Sequence, residues 1–270
     1  MQAVNLPATA GWQWIKMGWE LFRLQPAAFF TWTMLISLVL IFATLAAPIG
    51  PLVFIALVPT ITYLTLSACR SVHTGTRLVP SIWFAPLRQK KLLGKLLRLG
   101  GIYVAICLTA GLISFLPFSA QLSAAMQTIG DGQNLEPLMD ALSTPMMIFG
   151  VLYFLLAALF WYAPVLIGWH GTKISQALFF SAVACWRNKW PLIVYAAGWG
   201  VIFTGVDLIL GVMVAIGIPL SIAAALQIPA NILVGSVLYC SFYPTYVTVF
   251  GQDQISRDLE RSGSRSDTDL

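Results

Sequence analysis

Charge is what this sequence has least of. Asp, Glu, Lys and Arg make up 9% of its 270 residues, against about 25% in soluble domains. With 59% hydrophobic residues and a mean hydropathy of +0.83, a soluble fold with a solvated surface is excluded and a polytopic membrane protein follows. Cysteine and histidine are scarce as well, at four and two residues. Cys69, Cys107, Cys185 and Cys240 form no CxxC pair, so neither a zinc ribbon nor a disulfide framework is implied. There is also no glycine-rich phosphate loop, no Ser or Cys nucleophile beside a basic partner, and no close acidic pair in an apolar setting. Glu136 and Asp140, four residues apart, read as the solvated face of a helix. These absences leave no cofactor called for and set enzymatic chemistry behind other readings.

The charge-free stretches locate the membrane. Residues 24–69, 99–130, 141–172 and 208–252 contain no Asp, Glu, Lys or Arg, and each has room for one or two helices of about 20 residues. Pro48-Ile49-Gly50-Pro51 divides the first stretch, because paired prolines with glycine favour a turn. Six spans are expected, near 27–47, 52–71, 99–118, 146–169, 191–218 and 228–250, giving an all-α membrane fold. The segment between Pro219 and Pro229 is too short to cross and reads as an interfacial or re-entrant connection. The stretch around Gly130-Asp131-Gly132 reads as two short surface helices.

Basic residues fall on one side of these spans only. Lys16 and Arg23 precede the first; Arg70, Arg77, Arg88, Lys90, Lys91, Lys95 and Arg98 lie between the second and third; Lys173, Arg187 and Lys189 lie between the fourth and fifth. Arg257, Arg261 and Arg265 follow the last. The loops near 48–51, 119–145 and 219–227 hold no Lys or Arg, so the positive-inside rule places both termini in the cytoplasm. The net charge of +5 is then a one-sided basic surface, suited to anionic phospholipid head groups rather than nucleic acid. The N-terminal segment is not read as a cleavable signal peptide, since a Trp-rich helix precedes an apolar run longer than a signal core.

That helix is GWQWIKMGWELFRLQP. Trp12, Ile15, Trp19 and Phe22 recur at helical spacing, as expected of an amphipathic helix in the membrane interface. TKISQALFFSAVACWRNKWP, ahead of the fifth span, ends likewise in Trp, basic residues and proline. PLRQKKLLGKLLRLG carries Arg88, Lys91, Lys95 and Arg98 as one basic stripe opposite leucines. The chain therefore reads as a single six-span domain, 1–250, built of three repeat-like units (1–72, 73–169, 170–250), each an interfacial helix followed by a transmembrane hairpin. A charged cytoplasmic tail, 251–270, follows.

The only two histidines, His73 and His170, sit in similar contexts, SVHTGTR and GWHGTK. Two histidines without a suitably spaced Asp, Glu or Cys fall short of the three or four ligands of a metal site. A repeated elbow fits better. Gly75 and Gly171 suit the left-handed position that ends a helix, Thr76 and Thr172 are placed to cap the next one, and Arg77 and Lys173 to meet lipid phosphate. Arg77, Arg88, Lys91, Lys95, Arg98 and Lys173 are thus the candidate lipid-contacting residues. Asp207 is the single acidic residue inside an expected span, and an intramembrane carboxylate is a functional candidate by default; Thr204, Asn231 and Tyr239 are possible bonding partners. Pro59, Pro164 and Pro244 are expected to kink the even-numbered spans.

The opening GWQWIKMGWELFRLQPAA, the alternation of basic elbows with hairpins and the six-span length resemble a family of six-span proteobacterial inner-membrane proteins with a Trp-rich N-terminal interfacial helix. The resemblance covers nearly the whole chain. It implies a bacterial inner-membrane location and brings no catalytic or binding residues with it. The leading expectation is a non-enzymatic membrane protein, a lipid-interacting organiser or a subunit of an envelope assembly with other membrane proteins as partners. The alternative is a small-solute transporter using Asp207.

Overall fold

The structure, a computed structural model, describes residues 3–131 and 136–251. The tail expected over 251–270 lies outside them from residue 252 onward. Among the described residues there are eleven α-helices and no strand. Helix α1 (Ala10–Leu24) precedes α2 (Pro26–Leu45) and α3 (Ile49–His73). A short α4 (Pro80–Phe84) and a 3₁₀ turn over Ala85–Arg88 lead to α5 (Lys90–Phe115). Then come α6 (Ser119–Asp131), α7 (Glu136–Phe160), α8 (Ala163–His170), α9 (Ile174–Arg187), α10 (Lys189–Ala215) and α11 (Leu220–Phe250). Six segments among the described residues are long and apolar enough to cross a membrane, carried by α2, α3, α5, α7, α10 and α11. At about 1.5 Å per residue, each reaches the roughly 30 Å of a bilayer's hydrocarbon. This is an all-α polytopic membrane protein.

Several helix limits differ from the sequence expectation. Helix α5 runs without a break from Lys90, so the basic stripe forms the first turns of the third span instead of a separate helix. The cause is Leu92, Leu96 and Leu99, all buried, whose spacing carries one apolar seam directly into the span. Arg88 falls in the preceding 3₁₀ turn, off that helix. Helix α7 likewise starts at Glu136, and the second expected surface helix is its first turns. An acidic first turn favours such a start because it faces the positive end of the helix dipole. Helix α11 passes through Pro229 and Pro244, which takes the expected connection over 219–229 into the sixth span.

Pro164 does break its helix. The chain leaves helical geometry at Trp161 and Tyr162, between α7 and α8. The lost ladder bond is replaced by α9: the Ser181 hydroxyl donates to the Ala158 carbonyl (2.9 Å) and accepts from the Tyr162 N–H (3.0 Å). Tyr162 at one end of α8 and Trp169 near the other both contact the ring of Tyr246, at 6.2 and 5.0 Å between centroids. Helix α8 therefore packs against the last turns of α11, and α7 with α8 makes up the fourth segment long and apolar enough to cross a membrane, Glu136–His170.

Close backbone approach holds the bundle together, as expected where lipid removes most hydrophobic drive between helices. A Cβ at Gly100 of α5 would run into the Ala56 carbonyl of α3, one at Gly18 of α1 into Ser241 of α11, and one at Gly11 into the Pro191 carbonyl of α10. Helix α1 is consequently part of the packed structure. Its buried side is Trp14, Ile15, Leu21 and Phe22, while Trp12 and Trp19 are exposed. Trp14 Nε1 donates to Thr248 Oγ1 at 2.8 Å. The segment before α1 is fastened too: Asn188 accepts from Leu6 N–H (3.0 Å) and donates to the Val4 carbonyl (2.9 Å), and Val4 N–H donates to the Val249 carbonyl (3.0 Å).

Candidate functional site

The two histidine elbows are helix ends of the expected kind. Gly75 has φ +82° and Gly171 φ +67°, conformations open to glycine and strained for other residues. Gly75 N–H donates to the Val72 carbonyl and Thr76 N–H to the Ser71 carbonyl, each at 2.9 Å, the paired bonds of a Schellman ending. Gly171 closes α8 with one bond to the Ile167 carbonyl, 3.1 Å.

The threonines do not cap. The next helices begin behind Val79 and Lys173, neither with a side-chain cap. At the first elbow the role of holding the chain has passed to Gln25, whose amide donates to the Thr76 carbonyl (2.9 Å) and accepts from Leu78 N–H (2.8 Å).

Both elbows meet the last turns of α11. His170 Nε2 lies 2.5 Å from the Tyr246 hydroxyl, and the His73 ring is 5.6 Å from that of Tyr243. Between them the Arg70 guanidinium sits 5.0 Å over the Trp169 ring, a cation–π contact. Lys95 of α5 donates to the Gly171 carbonyl at 3.2 Å, bringing the basic helix to the second elbow. Tyr243 and Tyr246 were not singled out from the sequence. Their spacing of three, within SFYPTYVT, was the available signal, since it puts both rings on one helical face. Among the described residues, no group of three or more His, Cys, Asp or Glu side chains is placed to hold a metal ion.

The candidate lipid-contacting residues surround this end of the bundle. Arg77 is exposed in the loop after α3, Arg88 in the 3₁₀ turn, Lys91 and Arg98 on α5, and Lys173 ahead of α9; Lys95 is half-buried. At the joint between α9 and α10, Lys189 Nζ lies 4.9 Å from the ring of Trp186 and 6.0 Å from that of Trp190, both exposed. Cys185, on the inner side of α9, is buried, and burial pushes its thiol up to about 12.

Asp207 stands apart. It is exposed on α10, in the half of that helix beyond its buried Pro191, Tyr195 and Trp199. Gln227 Nε2, on the neighbouring α11, donates to its carboxylate at 3.4 Å. This partner replaces the Thr204, Asn231 and Tyr239 considered from the sequence, because α11 extends as helix far enough outward to bring Gln227 alongside.

No family model and no solved structure matches this chain. It is 35% identical over 259 residues to a probable inner membrane protein of Burkholderia thailandensis, an alignment covering 93% of this chain and 94% of that relative. With that identity along almost the full length of both, the chain belongs to the same family of membrane proteins as this relative.

Proposed function

We propose that this multi-pass inner-membrane protein is a non-enzymatic, lipid-interacting organiser that gathers anionic phospholipid at its basic end, with that end and both termini in the cytoplasm. The observation that carries this reading is the placement of Arg70, Arg77, Arg88, Lys91, Lys95, Arg98, Lys173 and Lys189 in the last turn of α3, along the connection and first turns leading into α5, and at the two ends of α9. The connections at the other ends of the spans carry no Lys or Arg. Each basic residue near an anionic surface contributes about 1 kcal/mol of attraction, and long Lys and Arg stems bring the charge to head-group level from helix positions within the bilayer. Helices α1 and α9, each ahead of a hairpin and each presenting exposed Trp, fit the head-group layer of the same leaflet.

The competing reading, solute transport through Asp207, needs that carboxylate beside a path across the bundle. Asp207 and Gln227 are both exposed on the flank of one hairpin, a position that favours lipid or protein contact over a solute route.

The test is lipid retention by the full-length protein. Purified in mild detergent, the wild type should keep phosphatidylglycerol or cardiolipin over phosphatidylethanolamine, and lose the preference with added salt. A variant with Arg77, Arg88, Lys91 and Arg98 changed to Gln should lose most of it while staying folded. An unchanged preference in that variant would overturn the proposal.

A further inference from the structure

Between α3, α5 and α7, beneath α6, the bundle leaves an open-sided cleft of about 1020 Å³. Leu52 and Val58 of α3, Leu112 of α5, Met126 of α6 and Phe149 of α7 are on its wall, and no wall residue is charged. At its inner end the Tyr103 and Tyr153 hydroxyls lie 3.4 Å apart. The same two side chains also border a smaller chamber of about 250 Å³ towards α8 and α11.

Three contents are conceivable, and two fail physically. A void would forfeit dispersion contacts along the entire wall, and apolar cavities that stay dry are of the order of 150 Å³, several-fold smaller. Water needs two to four polar partners per molecule. Here the hydroxyls are confined to the Tyr103–Tyr153 end and to Ser119 and Ser123 at the α6 rim, and the Ser123 hydroxyl already donates to the Ala120 carbonyl at 2.9 Å. Hydrocarbon meets neither objection. The volume matches the upper end of ligand sites, about 300–1,000 Å³, and α3, α5 and α7 all cross the membrane, so the open side faces lipid.

We propose that this cleft binds one fatty acyl chain of a membrane glycerolipid. The chain enters from the leaflet covered by α6, with its ester region at Ser119 and its methyl end towards Tyr103 and Tyr153. A glycerolipid suits both ends, because an ester carbonyl accepts from a serine hydroxyl while the acyl chain needs nothing polar along the wall. The site is separate from the basic end and does not depend on it: its recognition is apolar and insensitive to head-group charge.

Gly111 provides the test. It lies on the cleft wall, and a Cβ built there meets nothing within 4 Å. Gly111→Leu therefore fills the space without a clash and gains helix propensity. Gly101, on the same helix, has an equally free Cβ but is not on the wall, so Gly101→Leu is the matched control. Full-length protein in nanodiscs of phosphatidylethanolamine and phosphatidylglycerol is doped with a phosphatidylcholine carrying a diazirine on its acyl chain, irradiated and mapped by peptide mass spectrometry. Adducts in the wild type should concentrate on 104–112, 119–126 and 149–153. They should fall about tenfold, the loss of roughly 1.4 kcal/mol of binding, in Gly111→Leu and persist in Gly101→Leu, with both variants unfolding at the wild-type temperature or above. Equal labelling of the two variants overturns the proposal. So do adducts spread evenly along α10, labelling by a diazirine-bearing prenyl alcohol in place of the acyl probe, or crosslinks from these peptides to a second copy of the chain.

Discussion

The Ser181 hydroxyl accepts a hydrogen bond from the backbone N–H of Tyr162 at 3.0 Å and donates its own to the carbonyl that Tyr162 would otherwise have used, that of Ala158, at 2.9 Å. One side chain of α9 thus occupies the gap where α7 gives way to α8, and gives both the Tyr162 N–H and the Ala158 carbonyl a partner there. Removing the hydroxyl strands both groups in a buried setting, at about 1–3 kcal/mol. Ser181→Ala should lower the thermal midpoint of the purified protein clearly, whereas Ser175→Ala, on the exposed side of the same helix, should not. Equal midpoints for the two would show that the break is tolerated unaided.

Adjacent glycines on α5 should respond oppositely to the same change. At Gly100 a methyl group would collide with the Ala56 carbonyl, while at Gly101 it would meet nothing within 4 Å. Gly100→Ala should destabilise by about 1–3 kcal/mol, the usual penalty of overpacking. Gly101→Ala should be neutral or stabilise by up to about 1 kcal/mol through helix propensity. Unfolding in mixed detergent, followed by tryptophan fluorescence, measures both.

Orientation is open to direct labelling. With the native cysteines replaced, Gln121→Cys on α6 should react with an impermeant maleimide outside intact spheroplasts. Gln89→Cys, at the start of α5, should react only after permeabilisation. The reverse pattern would invert the proposed topology and place the basic end outside the cytoplasm.

Cys185 links stability to pH at the alkaline end. An unfolded chain loses a thiol proton near about 8.5, whereas burial holds the folded Cys185 thiol protonated up to about 12. The folded-state value is the higher one, so the stabilisation is fully present below the unfolded value and is lost as pH rises from there towards 12. Unfolding titrations of wild type and Cys185→Ala should therefore show a steeper decline between pH 8.5 and 10.5 for the wild type. In the folded protein at pH 8, Cys185 should resist alkylation by iodoacetamide; rapid modification would mean that α9 opens readily.

Much of the architecture was written in the distribution of charge. Six passages and the basic side follow from where Asp, Glu, Lys and Arg are missing, since burying them in hydrocarbon is costly. Helix limits were less legible wherever a residue that ends helices in water is harmless in a bilayer. Pro229 lies within α11 and Pro145 within α7, because neighbouring helices and local adjustment re-satisfy the freed backbone groups. Glu136 and Asp140 read as the solvated face of a separate short surface helix, yet they occupy the first turns of α7, where a helix dipole favours them. The glycines of the two elbows could be read locally, because φ above zero depends on the residue itself. The meeting of His73 with Tyr243 and of His170 with Tyr246 could not, because it depends on α3 and α8 both packing against the last turns of α11 and on no short-range pattern. The same holds for Gln25, whose grip on residues 76 and 78 replaced the expected threonine caps.

The packing of α1 has a consequence for the order in which the protein is made. Its contacts, Trp14 with Thr248 and Gly18 with Ser241, and those of Leu6 with Asn188, join α1 and the residues before it to segments translated much later, at separations of 234 residues for the first and 182 for the last. While α2 to α9 are being inserted, the apolar side of α1 has no α10 or α11 to meet and must rest on lipid or on the insertion machinery. The bundle therefore closes as a clasp: the earlier helix waits at the membrane surface until the later one arrives, and a chain truncated before α11 would leave the Trp14 indole N–H without Thr248 as a mark of incompleteness.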